Sequence, residues 1–352
     1  MGIEMQDVRQ QSTHDTISYN GNRILSFYRD AKILKAGGLV LPRMISCWLT
    51  HACNLDCDYC LYTASHNVHK DLAPTGKFLA FVDEIAALGV ESIEFGGGGE
   101  PTVHKDCFAI AQHAHAKGLQ VGMLTNAARF DIPLALASFR YIRLGIDAHC
   151  DALYQQVKGT TPGMFAKTER NCAELITARN RTGAKLPRIG VKHLIGKKNY
   201  QFLPELVRWA KDMGADYVHF KAEHNSPAAL SDAERQIGNG VLTALEQNGY
   251  AGFVKGDLNF LQGQHHCFMA DIHAVLDAKG NLNQCCYFTE TQDQIGNVFD
   301  DGFATVWYSP RHADVKRAKT VAGCNQYDCR FHAYNNQAVE MLDGTEQDLS
   351  FI

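Results

Sequence analysis

From residue 44 to residue 221 short apolar runs alternate with segments whose apolar positions recur every three or four residues, and nothing else in the chain narrows the fold as far. The run Met-Ile-Ser-Cys-Trp-Leu-Thr at 44–50 reads as a buried parallel strand. A helix is expected over 75–88, with Phe78, Phe81, Val82, Ile85 and Leu88 on one face. Further strands are expected at 90–95, 119–125, 141–146, 188–195 and 217–221, separated by helices at 107–117, 132–139, 168–182 and 203–213. This order implies right-handed parallel crossovers and an α/β fold with both faces of the sheet covered. Six such units fall short of a closed eightfold barrel. Ligands of parallel-stranded barrels gather where the loops leave the C-terminal strand ends.

Beyond Pro227 the texture changes to a helical stretch at 231–247 and a glycine-rich connection at 249–256. The expected organisation is therefore an extension over 1–42, an α/β unit over 43–227, a helical linker over 228–256 and a small α+β unit over 257–352. The extension, with an amphipathic basic segment at 23–35, is expected to pack as a helix across the α/β unit.

Hydrophobic residues make up 45% and charged residues 20% of the 352, and no stretch approaches the length of a membrane span. Residues 1–18 lack the apolar core of a secretory signal, so a cytoplasmic protein is expected. A net charge of −4 offers no general attraction to nucleic acid or to anionic membranes. Twelve cysteines without an export signal point to metal binding or catalysis rather than disulfides. Three of them fall at 53–60 and five at 267–329, while Cys47, Cys107, Cys150 and Cys172 are scattered and expected to be free thiols.

The first group, Cys53, Cys57 and Cys60, follows the first strand directly. Three thiolates on a four-iron cubane leave one iron unclaimed by protein. Zinc is the competing reading and would require a fourth ligand, for which His51 and His66 are nearest. After the second strand comes Gly96-Gly97-Gly98-Gly99-Glu100-Pro101, a run that permits close backbone approach and ends in an acid able to receive an ammonium group. Together the two motifs resemble the signature of the radical S-adenosylmethionine (radical SAM) superfamily. The resemblance implies a partial (β/α)6 TIM-like barrel and a 4Fe–4S cluster whose open iron chelates the amino and carboxylate groups of SAM. It carries the cluster to Cys53, Cys57 and Cys60, and the SAM amino group to Gly98, Gly99 and Glu100. Tyr59 is expected near the adenine, and Asn126, Arg143 and Asp147, at or near the ends of the third and fourth strands, near ribose and carboxylate. Many relatives have a serine where this chain has Gly145.

In the second group, Cys267 is followed by a hairpin pattern with a turn at Gly280 that leads to Cys285 and Cys286. Zinc held by four thiolates is one reading of this group. The stretch also resembles the auxiliary-cluster domain called SPASM, or its shorter twitch form. A full SPASM domain needs about seven cysteines for two clusters, so five imply one auxiliary 4Fe–4S cluster. Its expected ligands are Cys267, Cys285, Cys324 and Cys329. Cys285 is preferred to Cys286 because it fits the family spacing, and adjacent residues on a strand point to opposite sides. His265, His266 and His332 flank these cysteines and are expected to act around the cluster or at the surface.

The resemblance implies reductive SAM cleavage to a 5′-deoxyadenosyl radical, with electrons from a one-electron reductase such as flavodoxin or ferredoxin. Lys192, His193, Lys221, Glu223 and His224, at the last strand ends, are the expected substrate contacts, with Glu223 or Lys221 as base. About forty residues precede the first strand, few for an independent leader-binding domain. A small polar substrate such as a sugar or cyclitol, oxidised with the auxiliary cluster as electron acceptor, is therefore the first expectation. Epimerisation or cross-linking of a ribosomal peptide is the second, and a non-catalytic iron–sulfur carrier or sensor the third.

Overall fold

The computed structural model describes residues 30–62, 70–223, 226–259, 267–289, 291–318, 329 and 331–343. Six parallel strands, β1 (Met44–Cys47), β2 (Ser92–Phe95), β3 (Gln120–Thr125), β4 (Phe139–Gly145), β5 (Arg188–Ile195) and β6 (Tyr217–Ala222), pair in chain order. The sheet continues beyond them at both edges. β7 (Val254–Lys255) adds in parallel to β6, and β8 (His273–Leu276) adds in parallel to the outer edge of β1. β9 (Asn281–Asn283) and β10 (Gln294–Asn297) follow β8 as antiparallel strands. The described residues thus form one ten-stranded sheet in the order β10-β9-β8-β1-β2-β3-β4-β5-β6-β7. The fold class is as expected, but hydrogen bonding runs straight across the expected linker and C-terminal unit. An apolar run, His273-Ala274-Val275-Leu276, meets the edge of β1 that a six-stranded sheet would leave unpaired.

α1 (Ala31–Lys35) precedes β1, and the helices between the strands are α2 (Thr75–Leu88), α3 (Cys107–Ala116), α4 (Ile132–Ser138), α5 (Asp151–Lys158), α6 (Met164–Arg181), α7 (Leu203–Asp212) and α8 (Asp232–Leu245). Phe78, Phe81, Val82 and Ile85 of α2 are buried, and Gly89 ends the helix in the left-handed region that glycine tolerates. Leu88 is exposed instead of buried, because it occupies the last turn before the chain leaves the helix. α5 is an element that the sequence reading lacks: only eight residues long, it lies between two expected elements and is capped by left-handed Gly159.

Strand alternation separates two environments. Ile45, Ile93, Val121, Ile142, Ile189 and Val218 face the helices and are essentially inaccessible. The register places Glu94, Gly122, Tyr141, Arg143, Gly190, Lys192, Tyr217 and His219 on the opposite, inner face. The interior of the barrel is therefore polar and basic. Its two strand glycines make room for rings: a Cβ on Gly122 would lie 2.3 Å from the Tyr141 ring, and one on Gly190 would lie 2.1 Å from the Tyr217 ring. Gly190→Ala is expected to destabilise the fold by about 1–3 kcal/mol through overpacking, read as a lowered melting temperature.

The described part of the N-terminal extension does not pack as expected. Leu34 and Val40 join Phe268, Ile272, Ala338 and Leu342 in a small separate core, so α1 meets the helix His332–Asp343 rather than crossing the barrel. Among the described residues no helix is long and apolar enough to cross a membrane.

Candidate functional site

The loop after β1 carries the three cysteines of the first group. Cys53, Cys57 and Cys60 are half-buried free thiols, whereas Asn54, Asp56 and Asp58 between them are exposed. A turn with Cys60 N donating to Cys57 O (3.1 Å) brings the last two together. His51 bonds to Asp71 through Nδ1 at 3.2 Å, which engages one of the two candidate zinc ligands; His66 lies outside the described residues. Three thiols on one loop fit a cubane with one iron left open.

Two neighbours clamp this loop. On one side, Gly99 N donates to Thr50 O at 2.9 Å and Glu100 N to Ala52 O at 3.0 Å. A Cβ on Gly99 would stand 2.1 Å from Ala52 O, so only glycine allows this approach. Gly97 and Gly98 adopt φ of 91° and 66° beneath the Trp48 ring. On the other side, Asp56 N donates to Lys158 O at 3.2 Å, at the end of α5, and Lys198 pairs with Asp58.

Glu100 is tied into the chain itself. Its buried carboxylate accepts from Thr102 N (3.1 Å), Thr102 Oγ1 (2.7 Å), Thr125 Oγ1 (2.6 Å) and Asn126 N (2.8 Å). Four donors from the chain itself tie the glycine run to the end of β3, and burial still leaves its pKa raised. Asn126 is likewise engaged: its Nδ2 donates to Asn54 Oδ1 of the cysteine loop at 2.8 Å. Arg143 sits within β4 on the inner face, over the Tyr141 ring at 5.5 Å, rather than at the strand end.

Asp147 is held within the fold. It is buried, at a positive φ of 61°, with Oδ2 2.5 Å from Lys158 Nζ and Oδ1 2.5 Å from Leu194 N. Tyr59 Oη donates to Asp147 Oδ2, and Lys158 Nζ lies 2.7 Å from Tyr59 Oη. Lys158 lowers the pKa of Asp147 against the upward push of burial. The carboxylate is thus an internal anchor held by three donors from distant segments. Lys158 is the residue that sequence reasoning missed: a lysine at the end of an amphipathic helix carries no signal that it turns inward.

His193 does not reach the strand mouth. It is fully buried on the helix side of β5, with Nδ1 3.1 Å from Asp147 N and its ring stacked on Phe220 at 5.4 Å. Burial drives its pKa down to about 4, which keeps it neutral and removes it as a base at the mouth. Lys192 and Lys221 do lie on the inner face, on either side of His219, and Glu223 follows β6 as a buried acid. His224 lies outside the described residues.

At the second cysteine group, burial and the neighbouring Cys267 and Cys286 push the Cys329 thiol up to about 12. The Cys285 sulfur accepts from Tyr287 N at 3.4 Å within its own turn. Cys286, beside it on the same turn, lies near enough to Cys329 to act on its charge. Cys324, His265 and His266 lie outside the described residues. Tyr62, at the end of the first loop, donates from Oη to Cys286 O at 2.8 Å, so both cysteine groups share one end of the sheet. Of the scattered cysteines, Cys47, Cys107 and Cys172 are fully buried thiols.

Comparison with known proteins agrees with this geometry. Residues 49–183 match the radical SAM superfamily, and residues 267–330 match SPASM, an iron–sulfur cluster-binding domain. The mycofactocin maturase of Mycolicibacterium smegmatis is 25% identical over 321 residues, spanning 83% of this chain and 78% of that protein. The AdoMet-dependent heme synthase of Methanosarcina barkeri is 23% identical over 344 residues, spanning 83% and 92%. Among solved structures, Streptococcus suis SuiB bound to its precursor peptide SuiA superposes with a TM-score of 0.65 at 16% identity, covering 89% of this chain and 75% of that one. A SAM-binding 4Fe–4S cluster and auxiliary cluster binding come with these two domains. The chain therefore carries a radical SAM domain over residues 49–183 and a SPASM domain over residues 267–330.

Proposed function

We propose that this protein is a radical SAM enzyme that modifies a peptide. The observation that carries this reading is the shared end of the sheet, where Tyr62 links the SAM-side cysteine loop to the turn holding Cys286. A substrate seated inside that end of the barrel would lie between the two cysteine groups. When bound, the first cluster supplies the electron that cleaves SAM to methionine and a 5′-deoxyadenosyl radical, which takes hydrogen from a substrate carbon. Cys53, Cys57 and Cys60 hold that cluster, and Tyr59 braces their loop against Asp147. The backbone of Gly98 and Gly99 cradles the amino end of SAM, held open by the clasp of Glu100 on Thr102, Thr125 and Asn126. Cys267, Cys286, Cys324 and Cys329 hold the auxiliary cluster. Lys192, Arg143 and Lys221 orient the substrate from the inner wall, and Glu223 accepts a proton released there.

A peptide is favoured over the sugar or cyclitol expected first, because SuiB, which shares this fold, was solved with a precursor peptide, and the mycofactocin enzyme is likewise a maturase. A second reading, a non-peptide small molecule, is favoured by the similarity to the heme synthase. The reconstituted enzyme, given SAM and dithionite under anaerobic conditions, separates them. Peptide and metabolite fractions of a cell extract are tested for stimulation of 5′-deoxyadenosine release. Stimulation that is abolished by prior proteinase treatment of the fraction is the expected result. Protease-resistant stimulation overturns the peptide reading. A loss of two hydrogens from the stimulating compound then indicates oxidation or bond formation, and an unchanged mass indicates epimerisation.

A further inference from the structure

We propose that the buried Lys158–Asp147 pair sets the reduction potential of the cluster on Cys53, Cys57 and Cys60, acting through Tyr59 as a positioning device with opposed charges. This rests on the reading of those cysteines as the SAM-site ligands. Lys158 is only 3% exposed although it occupies the last turn of a surface helix, where a lysine reaches water at no cost. A buried ammonium needs strong compensation, and here it has Asp147 Oδ2 at 2.5 Å and Tyr59 Oη at 2.7 Å, with its charge over the Tyr59 ring at 5.4 Å.

An ion pair that only held the fold together would have no reason to adjoin this loop. The peptide backbone at Lys158 receives Asp56 N, and Gly159 approaches so closely that a Cβ there would stand 2.2 Å from Asp56 O. Tyr59, which stands between Cys57 and Cys60 in the loop, joins both members of the pair through its hydroxyl, donating to Asp147 Oδ2 and receiving Lys158 Nζ at 2.7 Å, so the two opposite charges are fixed against the cysteine loop. Charges and hydrogen bonds at cluster sulfurs are the levers by which proteins adjust cluster potentials, and burial strengthens both. Reduction adds one electron to the cluster from an external one-electron donor. A nearby ammonium favours it and a nearby carboxylate opposes it.

The two halves of the pair should therefore move the potential in opposite directions. The test is a dithionite titration of the loaded enzyme, followed by electron paramagnetic resonance of the signal that changes on adding SAM. Lys158→Met leaves a bare carboxylate and is expected to shift the midpoint negative. Asp147→Asn leaves a bare ammonium and is expected to shift it positive. Lys158→Arg keeps the charge and should return the midpoint toward the parent value. Shifts of the same sign, or none, in the first two variants overturn the inference. If neither variant loads a cluster, Tyr59→Phe decides: loss of the hydroxyl is expected to shift the midpoint negative, and an unmoved midpoint overturns the proposal. A SAM-responsive signal that survives replacement of Cys53, Cys57 and Cys60 together instead overturns the ligand assignment beneath it.

Discussion

Cys57→Ala is expected to lose about four irons, the content of one cubane, and to bring 5′-deoxyadenosine formation to background. The residue is half-buried and joined to Cys60 by a turn in which Cys60 N donates to Cys57 O at 3.1 Å. The auxiliary cysteines are untouched by this change. Residual iron should therefore remain on the protein, and its absorbance near the sulfur-to-iron charge-transfer bands should persist. Cys107→Ala is the matched control, since that thiol is fully buried at the start of α3 and belongs to neither cysteine group. Iron analysis of the two variants side by side checks the assignment. Equal iron in both would remove the loop from the cluster site.

Gly99→Ala is expected to lower SAM cleavage by about a hundredfold, the penalty of displacing reacting groups by about 1 Å. The added methyl would meet Ala52 O at 2.1 Å and the His51 carbonyl carbon at 2.8 Å. Both are backbone atoms of the segment entering the cysteine loop, which itself is fixed by Thr50 and Asp71. No rotamer change relieves the contact, so loop and glycine run must separate. Overpacking adds about 1–3 kcal/mol of destabilisation, visible as a lowered melting temperature. Equilibrium dialysis with SAM on the loaded variant distinguishes a widened cradle from a lost cluster: weakened SAM binding with full iron is the expected pattern.

What could be read from the sequence was what depends on near neighbours. Phe78, Phe81, Val82 and Ile85 mark their helix by spacing, and the bounds of β5 and α2 follow from the apolar pattern within a few residues. The cysteine spacing and the glycine run gave the chemistry of the first site for the same reason. What escaped depends on partners far apart in the chain. Tyr59 meets Asp147 across 88 positions and Lys158 across 99, and no local period encodes such a meeting. Asp147 and Glu100 looked available because acids at strand ends usually face solvent; here each finds several donors from distant segments.

The position of β1 also orders events during synthesis. This strand carries the cysteine loop, and its two neighbours come from residues 92–95 and from residues 273–276. While the ribosome is still adding the intervening chain, one edge of β1 offers unpaired backbone groups to any passing strand. Only when the segment behind Cys267 emerges does that edge close. The foundation of the first cysteine loop is therefore completed by the same stretch of chain that delivers the second cysteine group, which ties maturation of one centre to the arrival of the other.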